Sequence, residues 1–318
     1  MASTVFLAFA LAILRLAASE STRAIDSNFP DPCVIQTNDG YYAFATNGNG
    51  VNVQVASSSD FSSWDLMSGT DAMPGPFPSW IASSPAIWAP DVIQRADGTF
   101  VMYFSAASSE DSSKHCVGAA TSTSITGPYT PENSALACPL DQGGAIDADG
   151  FSDGGNYYVV YKIDGNSLDG DGTTHATPIM LQGLNSDAVT PNGGSTQLLD
   201  RDDADGPLIE APSLANVDGT YYLSFSSNMY DTTNYDVSYA TASALTGPYT
   251  KVQAPDAPLL VSGDPSNVGN LAGPGGADFN GDASKIVFHA FENGQNIDDG
   301  RAMYVADISV SGGVITVQ

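Results

Sequence analysis

The chain has 318 residues, 42% of them apolar, which suffices for a sizeable core in one all-β unit or two smaller domains. Nine Lys and Arg stand against 36 Asp and Glu, a formal net charge of −27. That balance repels a phosphate backbone and an anionic bilayer, so nucleic acid and membrane are excluded as partners and neutral molecules such as sugars remain. Glu supplies only positions 20, 110, 132, 210 and 292 of the acidic total, and Lys occurs four times. With 32 Gly and 19 Pro, this composition suits strands joined by turns rather than helices.

Residues 5–14 (VFLAFALAIL) form an unbroken apolar run ended by Arg15. A bilayer needs about 20 such residues, so this is no membrane span. Ala17, Ala18 and Ser19 follow, and the stretch reads as a secretory signal peptide over residues 1–19, cleaved between 18 and 25. The expected product is a secreted, soluble, extracellular and monomeric protein, with one domain over residues 26–318. Three cysteines leave one unpaired. Cys116 and Cys138 flank one strand–turn segment and are the better pair, and Cys33 is expected as a small buried residue. No Cys/His spacing suggests zinc, and there is no Asn-x-Ser/Thr sequon.

A turn followed by an aromatic-rich strand recurs five times: Asp39-Gly40 before YYAFAT, Asp97-Gly98 before TFVMYFS, Asp153-Gly154 before GNYYVVYK, Asp218-Gly219 before TYYLSFS, and Gly281-Asp282 before SKIVFHAF. The intervals are 58, 56, 65 and 63 residues. Asp-Gly supports tight hairpin turns, and β-branched and aromatic residues suit the strand that follows. Second strands come after most of these: VNVQVASS, VGAATS, PIMLQ, DVSYATA and AMYVADI. The tail Thr126-Gly127-Pro128-Tyr129 returns as Thr246-Gly247-Pro248-Tyr249. Units of this length, built from short antiparallel strands, are the size of propeller blades. The predicted fold is an all-β, five-bladed β-propeller, with a two-sheet sandwich as the alternative.

Propeller sites lie on the axis, where inner strands begin. Three acidic residues interrupt apolar or proline-bounded stretches: Asp31 in NFPDPCVI, Asp147 in GAIDADGF and Glu210 in PLIEAPSL. Asp149 competes with Asp147. Two carboxyls facing each other across a sugar are the minimum machinery of a glycosidase. A carboxyl buried among apolar groups keeps its proton and suits the acid; a turn Asp with donors around it stays ionised and suits the base. A third carboxylate can hold the acid in place.

The three segments, together with Ile87-Trp88-Ala89-Pro90-Asp91-Val92, resemble glycoside hydrolase family 43 over essentially all of residues 28–318. The resemblance implies a five-bladed propeller and an inverting hydrolase of plant cell-wall arabinan or arabinoxylan. An α-L-arabinofuranosidase or arabinanase is the leading expectation and a β-D-xylosidase its rival; a non-catalytic sugar-binding propeller is the alternative outside enzymes. It also implies Asp31 as general base, Glu210 as general acid and Asp147 as the residue that tunes and orients the acid. Many members have Ile-Asp-Pro where this chain has Ile146-Asp147-Ala148, which keeps Asp149 in play. Many also carry a His that serves an axial metal, where this chain has Gly276, so no cofactor is expected to be required and an axial calcium is in doubt. Asp278 or His289 are the candidate substitutes for that His. Phe29, Trp88, Asp91 and Arg301 are the expected substrate-binding residues. Trp80 and Trp88 suit either sugar stacking or core packing, Asp91 a hydrogen-bonding place near the pocket, and Arg301 either the acidic centre or a surface ion pair.

Overall fold

The computed structural model describes residues 20–294 and 296–318; the expected signal peptide lies outside them. Five antiparallel sheets form the blades of a β-propeller, each ordered from the axis outward. Blade I comprises Cys33–Thr37, Gly40–Ala45, Gln54–Ser58 and Asp65–Leu66. Blade II comprises Trp88–Gln94, Phe100–Ala107, His115–Ser122 and Thr130–Pro131. Blade III comprises Ala145–Asp153, Asn156–Ile163, Ile179–Leu184 and Thr196–Leu199. Blade IV comprises Ile209–Val217, Thr220–Ser227, Asp236–Ala242 and Thr250–Lys251. Blade V comprises Gly275–Phe279, Lys285–Phe291 and Arg301–Ser311, completed by Thr22–Ile25 from the other end of the chain. The propeller therefore begins at Thr22 rather than at the expected residue 26, because this strand pairs with the last blade and closes the ring.

The repeated aromatic strands are the second strands of the blades, and the Thr-Gly-Pro-Tyr tails lead into the outermost strands of blades II and IV. Period-2 alternation explains the core. All eight residues of Phe100–Ala107 are buried. Met102 and Phe104 pack with Phe44 and Val55 of blade I, whereas Val101 and Tyr103 pack with Ala145 and Val159 of blade III. Burying each such side chain stabilises by roughly 1.5–3 kcal/mol. Val217 and Thr220 are joined by Asp218 (φ 52) and Gly219 (φ 82), the left-handed pair that a two-residue hairpin needs. Cys116 and Cys138 form the disulfide, and Cys33 is free and buried.

The inner strands repeat in detail. Cys33, Asp91, Asp149, Ser213 and Asp278 take equivalent places around the axis, and each accepts a backbone N–H from the next blade. Asp91 accepts from Gly150 at 2.7 Å, Asp149 from Leu214 at 3.1 Å, Ser213 Oγ from Phe279 at 3.1 Å, Asp278 from Val34 at 2.7 Å, and the Cys33 thiol from Val92. Two residues earlier stand Asp31, Ala89, Asp147, Ala211 and Gly276, with φ of 52, 40, 56, 48 and 55. This left-handed step breaks the ladder at the start of the inner strands of blades II to V. Strain of this kind collects at functional sites, and Asp tolerates it better than bulkier residues.

Candidate active site

Above that step lies a cavity of about 350 Å³, lined by Asp31, Asp147 and Glu210 together with residues of every blade. Pro30 and Pro32 flank Asp31 and restrict the backbone on either side. Asp31 Oδ1 accepts from Arg301 at 2.8 Å, and Oδ2 accepts from the Thr46 hydroxyl at 2.7 Å. Burial would raise the Asp31 carboxyl, but the Arg301 guanidinium and the Thr46 hydrogen bond overrule it and hold the group below its ordinary value.

Glu210 is 7% exposed and gripped at both oxygens. Lys162 donates to Oε2 at 2.8 Å, and the Tyr235 hydroxyl donates to Oε1 at 2.9 Å. Lys162 is fully buried and also pairs with Asp164 at 3.0 Å. Burial alone would favour loss of its proton, but the charges of Glu210, Asp164 and Asp147 outweigh that and hold the ammonium above its ordinary value. Asp147 Oδ2 accepts from the Ala211 N–H at 3.0 Å, which fixes the backbone beside Glu210. Burial, followed by the charge of Glu210, pushes the Asp147 carboxyl well above its ordinary range. The cavity thus holds one carboxylate kept ionised by an arginine, a second, Asp147, disposed to keep a proton, and a third, Glu210, clamped between an ammonium and a phenol.

The walls are mixed in character. Trp88 is 37% exposed, lines the cavity and stacks on His115 with ring centroids 3.5 Å apart. His115 is buried, with Nε2 3.2 Å from the Ala86 carbonyl oxygen, so Trp88 rests on a fixed support. Arg301 lies over the Tyr230 ring at 5.2 Å. Phe29, expected at the sugar, is instead fully buried with Ile25, Val34 and Met303, because the residue before Pro30 points into the seam between blades V and I. Asp91, also expected there, belongs to the axial ring below the cavity. The competition between Asp147 and Asp149 is resolved by the left-handed step: Asp147 faces the cavity and Asp149 the ring. Trp80 packs on Phe104 and donates to the Glu132 carbonyl, in the core.

Gly276 leaves no room for a side chain. A Cβ there would stand 2.6 Å from His289 Nδ1 and 3.1 Å from Asp31 Oδ1. His289 Nδ1 accepts the Asp31 N–H at 3.1 Å, and burial and then Arg301 lower the ring's pKa to about 3. That lone pair is spent, so these residues do not fit an ion held by histidine. Among the described residues, Asp91, Asp149 and Asp278 bring oxygens within 4.8 Å of one another. The donors would suit a hard cation. Each already accepts a backbone N–H, however, and burial raises Asp91 to about 6, Asp278 to about 8 and Asp149 well above its ordinary value.

A family model for glycosyl hydrolases family 43 matches residues 23–314. The chain belongs to that family. An extracellular endo-α-(1→5)-L-arabinanase of Thermotoga petrophila is 32% identical over 150 residues, which is 44% of this chain and 30% of that protein. A probable arabinan endo-1,5-α-L-arabinosidase A of Aspergillus flavus is 32% identical over 161 residues, 48% of this chain and 49% of the other. The chain thus spans less than half the length of these curated relatives. Among solved structures, an endo-1,4-β-xylanase of Bacteroides thetaiotaomicron superposes with a TM-score of 0.73 at 28% identity, covering 94% of this chain and 97% of that one. A family 43 endo-arabinanase of Bacillus licheniformis shares the fold, with a TM-score of 0.68 at 22% identity over 93% and 99% of the two chains.

Within this family 43 propeller, the sequence reading passed over Lys162, Tyr235, Thr46 and His115. Lys162 had a signal: one of four lysines, set inside the apolar strand YYVVYKI. A charged residue is almost never fully buried unless paired, so that position foretold a carboxylate partner. Tyr235 and Thr46 carried no such mark.

Proposed function

We propose that the protein is an inverting glycoside hydrolase acting on arabinan, as an α-L-arabinofuranosidase or arabinanase. The observation that carries this reading is the convergence of Asp31, Asp147 and Glu210 on one cavity, with the Asp31 carboxyl held below its ordinary value and the Asp147 carboxyl well above it. Asp31, ionised beside Arg301, takes a proton from a water that attacks the anomeric carbon. Glu210 gives its proton to the departing oxygen as the C–O bond breaks. Asp147, hydrogen-bonded to the backbone next to Glu210, orients the acid. Trp88 and Arg301 are the sugar-binding walls. The net charge of −27 suits a neutral plant polysaccharide, and secretion agrees with the extracellular naming of the Thermotoga relative.

The experiment is sugar release from linear arabinan, arabinoxylan and xylo-oligosaccharides, with the anomer followed by proton NMR. Arabinose or arabino-oligosaccharides appearing first as the inverted anomer, and abolished by Glu210→Gln, is the expected result. Xylose products would move the specificity to xylan, the reading favoured by the xylanase likeness across nearly the whole chain. No product from any of them, with sugar still bound, would make this a binding propeller. Full turnover by Glu210→Gln would remove that residue from the role of acid.

A further inference from the structure

We infer that Lys162 is a positioning residue that couples the acid Glu210 to Asp147 through a break in the five-fold pattern of the propeller; this deepens the glycosidase reading and rests on it. On the second strand of each blade, or in blade I just past its end, the residue opposite the start of the inner strand is Thr46, Ser105, Lys162, Ser226 or His289. In four blades its side chain accepts the N–H of the left-handed residue in the next blade. Thr46 Oγ1 accepts from Ala89 at 2.9 Å, Ser105 Oγ from Asp147 at 3.0 Å, Ser226 Oγ from Gly276 at 3.0 Å, and His289 Nδ1 from Asp31 at 3.1 Å. An ammonium has no lone pair and cannot do this.

Two consequences follow from that one exchange of residue type. The Ala211 N–H, deprived of its usual acceptor, donates to Asp147 Oδ2. The ammonium in turn reaches Glu210 Oε2 at 2.8 Å. Asp147 is thereby tied to the residue next to the acid, and the acid is tied to a fixed cation. When Glu210 has passed its proton to the departing oxygen, the new carboxylate stands against Lys162 and the Tyr235 hydroxyl rather than alone in a dry site. Lys162 touches no substrate; it sets where the acid points and how readily it gives up its proton.

The test uses Lys162→Met, which removes the charge, and Lys162→Ser, which copies blades II and IV. Should the uncompensated carboxylates prevent folding, Lys162→Met with Asp164→Asn removes cation and one anion together. Turnover is compared on an arabino-oligosaccharide, whose departing oxygen needs a proton, and on a nitrophenyl glycoside, whose oxygen does not. A loss of about 100-fold in kcat on the first, against less than about threefold on the second, is expected. The basic limb of the kcat–pH profile should also move up by about one unit. Equal losses on both substrates with an unmoved limb would overturn the inference and leave a structural lysine. Carbon-13 titration of the Asp147 and Glu210 carboxyls gives a readout that needs no turnover: titration at higher pH in the variant supports the coupling, and an unchanged titration refutes it. Wild-type protein that cleaves neither glycoside counts against the glycosidase reading, while the carboxyl titration still decides the role of Lys162.

Discussion

Replacing Asp278 by Asn should flatten the loss of stability with rising pH. Asp278 is 7% exposed, shares the axial ring with Asp91 and Asp149, and faces the Cys33 thiol from blade I and the Ser213 hydroxyl from blade IV. Burial first, then the charge of Asp91, raises it from 3.8 to about 8. Between those two values the unfolded chain releases the proton and the native state keeps it, so stability falls as pH rises across that window and levels off above it. At about 1.4 kcal/mol per unit, the ceiling for this one group is roughly 6 kcal/mol. Three neighbouring carboxyls share the effect, so Asn, which keeps an acceptor for the Val34 N–H, should recover about 3 kcal/mol, or about 5 °C in Tm for a chain of this size. The assay is thermal unfolding of both proteins from pH 4 to 9. The repulsion of a −27 surface acts on both, so the difference between the curves is what counts. A difference that stays constant from pH 4 to 8 would refute the reasoning.

Two further substitutions probe the cavity. Asp147→Ala leaves the Ala211 N–H without an acceptor, because Lys162 can only donate; urea unfolding should show it about 1–3 kcal/mol less stable than Asp147→Asn, which keeps an acceptor oxygen. Equal stabilities would mean that the N–H finds another partner. Gly276→Ala sets a Cβ against His289 Nδ1 at 2.6 Å and Asp31 Oδ1 at 3.1 Å, at a φ of 55. Displacing Asp31, the proposed base, should lower kcat/KM by about tenfold or more, and wild-type kinetics in that variant would show that the Asp31 position tolerates movement.

The blades were legible in the sequence because their physics is local. Asp218-Gly219 supplies the left-handed pair of its turn within the hairpin itself, and the continuous apolar run FVMYF marks a strand buried on both faces wherever it lies in the fold. Asp31 and Glu210 were also legible, since a charge set among prolines or inside Leu-Ile-x-Ala-Pro contradicts its surroundings. Phe29 was misjudged for the complementary reason: nearness in sequence to Asp31 says nothing about direction once Pro30 intervenes and the next residue is left-handed.

The sequence by itself determined the strands, the number of blades and the sign of the surface charge, which follow from residue type, local patterning and a repeat every 56–65 residues. Only the tertiary structure decided which charges stand beside each carboxyl. That depends on Arg301 reaching Asp31 and Lys162 reaching Glu210, groups 270 and 48 residues apart in the chain. Ring closure brings these charges within hydrogen-bonding distance out of water, where one neighbouring charge shifts a proton equilibrium as no linear spacing can foretell.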